Sequence, residues 1–171
     1  MTEDDRPDTD SVVQEARLQE IADLHLTDPE MDPELRNIAA RAAESLGLPI
    51  GVVSIVLDQA QYFAAAHGLR GWLAEVRGTP VEWSFCANAV RSREAFVVEN
   101  ALANPLVSQS PLVTQEGVRC YAGIPLITSR GHVLGTLCVA GIEQHAFPPE
   151  DIDKLRALAA DAVRRIEMRR G

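Results

Sequence analysis

The sequence predicts an α+β domain built on an antiparallel sheet. Three observations lead there. The stretches 50–67 and 118–141 are each a pair of β-rich runs broken by a short polar turn, so each reads as a hairpin. Hairpins join antiparallel neighbours, and they dominate the strand content. The 171 residues also suffice for one domain that buries roughly 70% of its unfolded surface without help from a disulfide or metal.

Each element has a local reason. Residues 1–10, MTEDDRPDTD, hold five acids and one Arg and are expected to be a disordered tail. An N-terminal helix is predicted within 11–30, from Ser11 to Leu26, with Val12, Val13, Ala16, Leu18, Ile21, Ala22 and Leu24 on a broad apolar face and charged residues between. The main domain is placed at 31–171. Asp32 suits an N-cap and Pro33 the first helical position. Leu35, Ile38, Ala39, Ala42, Ala43 and Leu46 make one face of that helix, and Gly47 and Pro49 end it. PIGVVSIVLD is nearly all apolar and β-branched, as a central strand buried on both faces is. DQAQ turns the chain and QYFAAAHG returns. LRGWLAEVRGTPVEW has scattered Gly and Pro and no period, so it reads as a loop. SFCANAVRS is a short helix that Ser84 can cap, and AFVVEN a short strand. ALANPLVSQSPLVTQEG is a long connection with two proline breaks, a length that inside a compact domain is usually functional. VRCYAGIPLIT and VLGTLCVAG form the second hairpin around SRGH. The last helix, in PPEDIDKLRALAADAVRRIEMRR, has acids in its first turn and Arg in its last, with Ile152, Leu155, Leu158, Ala159, Ala162, Val163 and Ile166 as its stripe.

Composition excludes several function classes. The net charge is −9, of which the tail carries −4, leaving −5 on the rest. A nucleic-acid surface needs a basic footprint, so no nucleic-acid partner is expected. Arg164, Arg165, Arg169 and Arg170 read as partners of the helix dipole. No apolar run approaches the roughly 18 residues of a membrane span, and the acidic N-terminus is no signal peptide. No membrane partner is expected, and the chain is placed in the cytoplasm. Three widely spaced cysteines do not make a disulfide framework and fit that reducing compartment.

The chemistry centres on WSFCANAV, which packs Trp83, Phe85 and Cys86 together. A nucleophilic Cys86 or Cys120 needs a base or cation beside it. His25, His67, His132 and His145 lie far apart in sequence, and none is placed next to a cysteine. Cys86, among apolar neighbours, reads as a small buried hydrophobe, and so does Cys138 inside its apolar strand. No catalytic residue is assigned and no enzyme is expected. No Cys-x-x-Cys or His-x-x-x-His cluster is present, so no metal is expected. His67 and His132 are expected to be exposed. No Gly-rich phosphate loop follows a strand, and no cofactor can be named.

The ordered blocks VSIVLDQAQYFAAAHGL, WSFCANAV, FVVENALANP, PLVTQEGVRCYAGIPL and GHVLGTLCVAG resemble the GAF domain family, from about Asp32 to Arg170. The resemblance implies a central antiparallel sheet of five or six strands, with the N- and C-terminal helices packed on one face. It also implies a cavity roofed by the short helix and the long loop. GAF domains are mostly small-molecule sensors within larger signalling proteins. No kinase, cyclase, phosphodiesterase or DNA-binding segment follows here, so the chain reads as a stand-alone bacterial copy. Two positions depart from the pattern. Asn88 stands where the similar bacterial branch usually has His, and Cys120 stands where Phe is frequent, which opens volume. Free methionine sulfoxide reductases share the fold and use three cysteines, but in loop motifs that Cys86 and Cys138 do not match. Bilin-binding relatives need a Cys beside a His or near the N-terminus, and neither is present.

The expected function is therefore non-covalent sensing of a small molecule. The alternatives are a dimerisation module with a filled cavity and, further off, the thiol-based reductase. Trp83, Phe85, Cys86, Leu106 and Val113 are the candidate apolar walls, and Tyr62, Asn88, Arg119 and Tyr121 the orienting polar groups. The pocket is expected between Ser84–Arg91, Ala101–Gly117 and Arg119–Ile124. Strand alternation puts Arg119 and Tyr121 on one side and Cys120 and Ala122 on the other, and the first pair is assigned to the cavity. The expected ligand is small and partly apolar, with a carboxylate for Arg119. The thiols are expected to matter for stability more than for function. A homodimer is expected through the terminal helices, with Val12, Leu18, Ile21, Leu155, Val163 and Ile166 as contacts.

Overall fold

A computed structural model describes residues 15–26, 32–69 and 76–168. The order is α1 (Glu15–Asp23), α2 (Pro33–Leu46), β1 (Ile50–Val56), β2 (Ala60–His67), β3 (Gly78–Pro80), α3 (Cys86–Ser92), β4 (Phe96–Val98), α4 (Pro111–Thr114), β5 (Cys120–Ile127), β6 (Val133–Gly141) and α5 (Pro149–Glu167). Short 3₁₀ turns occupy Val81–Trp83 and Ala101–Ala103. The strands form one sheet in the order β3-β2-β1-β6-β5-β4, and every neighbouring pair is antiparallel.

β1 lies inside the sheet and is buried from Gly51 to Val56. Its alternation supplies both faces. Val53 and Ile55 join the core beneath α1, α2 and α5, with Leu24, Leu35, Leu155 and Ile166. Val52 and Val56 join a second apolar cluster with Phe85, Cys86 and Val90 of the α3 region and Val107 and Val113 of the long loop. The terminal helices thus cover one face, while α3 and the loop cover the other.

Local chemistry sets the helix ends. The Asp32 carboxylate accepts the Glu34 amide at 2.8 Å and the Leu35 amide at 3.4 Å. It also accepts from Arg165 Nε at 3.0 Å, which ties the start of α2 to α5. Gly47 closes α2 with a left-handed φ of 71°, open to glycine at no steric cost.

Three expectations need correction, and one falls outside the described residues. The loop predicted before α3 contains β3, whose three residues pair with β2; a strand that short carries no readable period. The predicted α1 residues Ser11 to Gln14 lie outside the described residues, as does Val12 among the proposed dimer contacts. Ile21, Leu155 and Ile166, also assigned to a dimer contact, are buried inside the chain's own core. Two charged residues of α1 are buried, and they bear on His132, expected to be exposed. Arg17 is buried and donates to the Val133 and Leu134 carbonyls at 3.0 and 3.4 Å. Glu20, also buried, accepts the Thr128 hydroxyl at 2.9 Å and lies 2.6 Å from His132 Nδ1. His132 is consequently half-buried, as is His67. A helix face with charges on its buried side looks solvated in sequence because the strand carbonyls it reaches are more than a hundred residues away.

Candidate functional site

A cavity of about 80 Å³ sits between the sheet and the cover made by α3 and the long loop. Its floor is the α3-facing side of β1 and β6, from Val52, Ser54 and Cys138. Gln61 and Phe63 of β2, Phe85 and Cys86 of the α3 region and Tyr121 of β5 complete the inner wall. Ile50, Leu69, Leu112, Val118 and Ala140 also line it and are half-buried, so they form the outer rim. No Lys, Arg, His, Asp or Glu stands among the described lining residues.

The sheet register assembles the inner wall. Ser54 of β1 is paired with Thr136 of β6, and Val52 with Cys138. Cys138 is in turn paired with Gly123 of β5. A side chain at 123 would collide with Tyr121, since an added Cβ would lie 2.2 Å from the tyrosine oxygen. With glycine there, the ring runs along the strand towards α3. It meets Phe85 at a centroid distance of 5.0 Å and Phe96 at 6.0 Å. On the cover, Ser84 caps α3 by accepting the Ala87 amide at 3.1 Å. Ser110 caps α4 through the Leu112 amide and donates to the Trp83 carbonyl at 2.8 Å. That bond holds the loop down on the segment that leads into α3.

The polar atoms within this apolar shell are mutually satisfied, as burial requires. Gln61 accepts from the Ser54 and Ser84 hydroxyls at 3.1 and 2.8 Å and donates to Thr79 Oγ1 at 2.8 Å. The Cys86 sulfur accepts from the Tyr121 hydroxyl at 3.1 Å and from the Thr136 hydroxyl at 3.0 Å, and lies 4.0 Å from Cys138 Sγ. Burial pushes the Cys86 thiol up, but hydrogen bonds from Cys138, Thr136 and Tyr121 outweigh it and bring it down to about 6. The bond to Cys86 and burial push Cys138 up, and burial with the neighbouring sulfur charge does the same to Tyr121. Cys86 is therefore more than a small buried hydrophobe: it is the acceptor at the centre of a hydroxyl cluster.

Of the candidate residues, Phe85, Cys86 and Tyr121 line the cavity together. The others do not. Val113 is buried in the same cluster, but Leu112 beside it reaches the cavity. Leu106 is 69% exposed, because an Asn104 turn carries it outward while Val107 goes in. Trp83 ends its 3₁₀ turn half-buried, outside the lining set. Tyr62 alternates to the helical side of β2, under the Arg77 guanidinium at 5.0 Å. Asn88 is half-buried and donates to the Phe85 carbonyl at 3.3 Å. Arg119 precedes β5 and spends its guanidinium on the Val113 and Val118 carbonyls, both at 3.0 Å, so it braces the loop instead of facing a carboxylate. Cys120 packs into the helical core, as the alternation argument requires. The reading missed Ser54, Gln61, Thr136 and Cys138. The available signal was a hydroxyl inside an otherwise apolar strand, in PIGVVSIVLD and VLGTLCVAG.

Among the described residues no group of three or more His, Cys, Asp or Glu is placed to hold a metal ion, and no helix is long and apolar enough to cross a membrane.

Known proteins sharpen the comparison. A family model described as the GAF domain matches residues 32–167. The chain is 34% identical over 145 residues to a cyclic di-GMP phosphodiesterase of Pseudomonas aeruginosa. That match covers 84% of this chain and 24% of the other, so the chain spans about a quarter of the curated relative's length. Among solved structures, the GAF domain of an Acinetobacter phosphoenolpyruvate-protein phosphotransferase superposes with a TM-score of 0.66 at 17% identity, covering 90% of this chain and 92% of that one. A free methionine-R-sulfoxide reductase of Neisseria meningitidis, in complex with its substrate, gives a TM-score of 0.65 at 22% identity and 86% coverage of both chains. At these identities both share the fold with this chain.

Proposed function

This chain belongs to the GAF domain family, and from that premise we propose that it is a cytoplasmic sensor module that binds a small, uncharged molecule without covalent chemistry or catalysis. The carrying observation is the cavity itself, rimmed by apolar side chains and floored by a closed hydroxyl and thiol cluster. Ligand sites in proteins have this composition, with few polar groups among many apolar ones. The volume of about 80 Å³ suits a ligand of a few heavy atoms. Among the described lining residues there is no Lys, Arg or His to meet an anionic nucleotide or the carboxylate of an amino acid, which speaks against carrying either relative's substrate across. The small volume also favours a second reading, a GAF fold kept for dimerisation with its cavity nearly filled.

A thermal-shift screen with small neutral metabolites separates the two. A compound at 100 times its Kd stabilises by about 2.7 kcal/mol, which raises Tm by several degrees in a chain of this size. The sensing reading expects such a compound, and expects Val118→Phe, which fills the rim, to abolish its shift. Equal shifts in both proteins would place binding elsewhere. No shift with any compound would leave the structural reading.

A further inference from the structure

We propose that Cys86 and Cys138 are a peroxide-reactive dithiol: a small hydroperoxide entering the cavity oxidises Cys86, and Cys138 closes the product to a disulfide between α3 and β6. This goes beyond reversible ligand binding and does not depend on it.

Four observations carry it. The two sulfurs, 52 residues apart in sequence, lie 4.0 Å apart on different elements. A disulfide is about 2.05 Å long, so closure needs roughly 2 Å of approach between the sulfurs. Both thiols line the same cavity, whose half-buried rim and volume of about 80 Å³ admit a molecule the size of hydrogen peroxide. The Tyr121 and Thr136 hydroxyls both donate to the Cys86 sulfur, the arrangement that stabilises a thiolate, which is the nucleophilic form. Ser54 can add its proton, because Ser84 also satisfies the Gln61 oxygen it now donates to. The titratable groups facing Cys86 are Cys138 and Tyr121, and both are pushed towards their neutral forms, which leaves the charge on Cys86. Cys120 lies on the other face of β5, in the helical core, with its thiol raised by burial, and serves as an internal control.

The chemistry balances. The Cys86 thiolate attacks one peroxide oxygen, the S–O bond forms and the O–O bond breaks. The departing hydroxide takes up the proton that Cys86 gave up and becomes water. Cys86 has then lost two electrons to the peroxide and is a sulfenic acid. The Cys138 sulfur attacks that sulfur, the S–S bond forms, the S–O bond breaks, and a second water leaves with the Cys138 proton. Two thiols and one peroxide yield one disulfide and two waters, and an external dithiol reverses the change.

The test treats the folded, reduced chain with limiting hydrogen peroxide at neutral pH, then counts free thiols and maps peptides without reduction. The expected result is loss of two of the three thiols and recovery of a linked Cys86–Cys138 peptide. Cys120 should react at least about tenfold more slowly. Dithiothreitol should restore all three thiols. In Cys138→Ala the reaction should stop at a Cys86 sulfenic acid that dimedone traps, and Tyr121→Phe should slow the first step. Equal rates at Cys86 and Cys120, or a linked peptide that forms only in denaturant, would overturn the proposal. So would a Cys138→Ala protein with a native circular dichroism spectrum and no dimedone adduct. If Cys138→Ala does not fold, the wild-type peptide map decides alone.

Discussion

Tyr121 gathers the site at the residue scale. Its ring packs on Phe85 and Phe96, and its hydroxyl reaches the Cys86 sulfur. Cys86 is held down to about 6, whereas the thiol's ordinary value is 9.0. Between those values the folded chain holds one proton fewer here than the unfolded chain, so stability rises with pH across that window. The contribution is lost as pH falls through about 6. The raised values of Cys138 and Tyr121 act only above 9.0 and 10.0, where their neutral forms become a folded-state preference that alkali removes. We expect the thiolate absorbance of Cys86 to titrate near pH 6 in the wild type and at higher pH in Tyr121→Phe, which lacks one donor. The wild-type Tm should also climb from pH 6 to 9 by more than that of Cys86→Ala. An unchanged absorbance titration in Tyr121→Phe would remove the hydroxyl from the account.

At the scale of elements, β5 must be bare at Gly123 for this geometry to exist. The added Cβ of Gly123→Ala would meet the Tyr121 oxygen at 2.2 Å and its ring carbons at 2.7 and 2.9 Å. The ring must then swing away, leaving the Cys86 sulfur without that donor. We expect a loss of about 1–3 kcal/mol in urea unfolding, the usual range for overpacking a filled site. Part of it should return in the double variant with Tyr121→Phe, which removes the nearest of the three atoms. Strictly additive losses would show that the two residues do not compete for space. The cover depends in the same way on single bonds, Ser84 at the start of α3 and Ser110 between α4 and the Trp83 carbonyl. Ser84 was legible as a cap because capping is local. Ser110 was not, since its partner is 27 residues away.

On the scale of the whole molecule, Asp32 and Arg165 join the beginning of α2 to the end of α5 across 133 residues. Burial pushes the Asp32 carboxyl up, but Arg165 and the Glu34 and Leu35 amides outweigh it, so it sits below its ordinary 3.8. A depressed carboxyl contributes stability above its unfolded value and loses it as pH falls through the folded one. Asp32→Asn keeps the capping oxygen and removes the charge. We expect it to cost roughly 1 kcal/mol or less at neutral pH, because Arg165 is partly exposed and solvent screens the pair. In acid well below 3.8 the variant and the wild type should unfold at the same urea concentration. A difference that persisted there would mean that the cap itself, not the ion pair, had been damaged.

Taken along the chain, sequence by itself determined the α+β class, the two hairpins, the terminal helices and three of the stretches that border the cavity, but not the part of its lining that β1, β2 and β6 supply. These follow from periodicity, caps and turns, all written within a few residues. It also determined that Tyr121 and Cys120 face opposite ways, because strand alternation is local. Only the tertiary structure decided which side chains meet. The Cys86 sulfur finds donors 35 and 50 residues away, and Arg119, a plausible anion ligand by composition, turns to the Val113 and Val118 carbonyls. Sheet register brings Ser54, Thr136 and Cys138 to one face, and a buried hydroxyl must find a partner wherever the register puts one. That pairing is a property of the assembled sheet, which no single stretch of sequence contains.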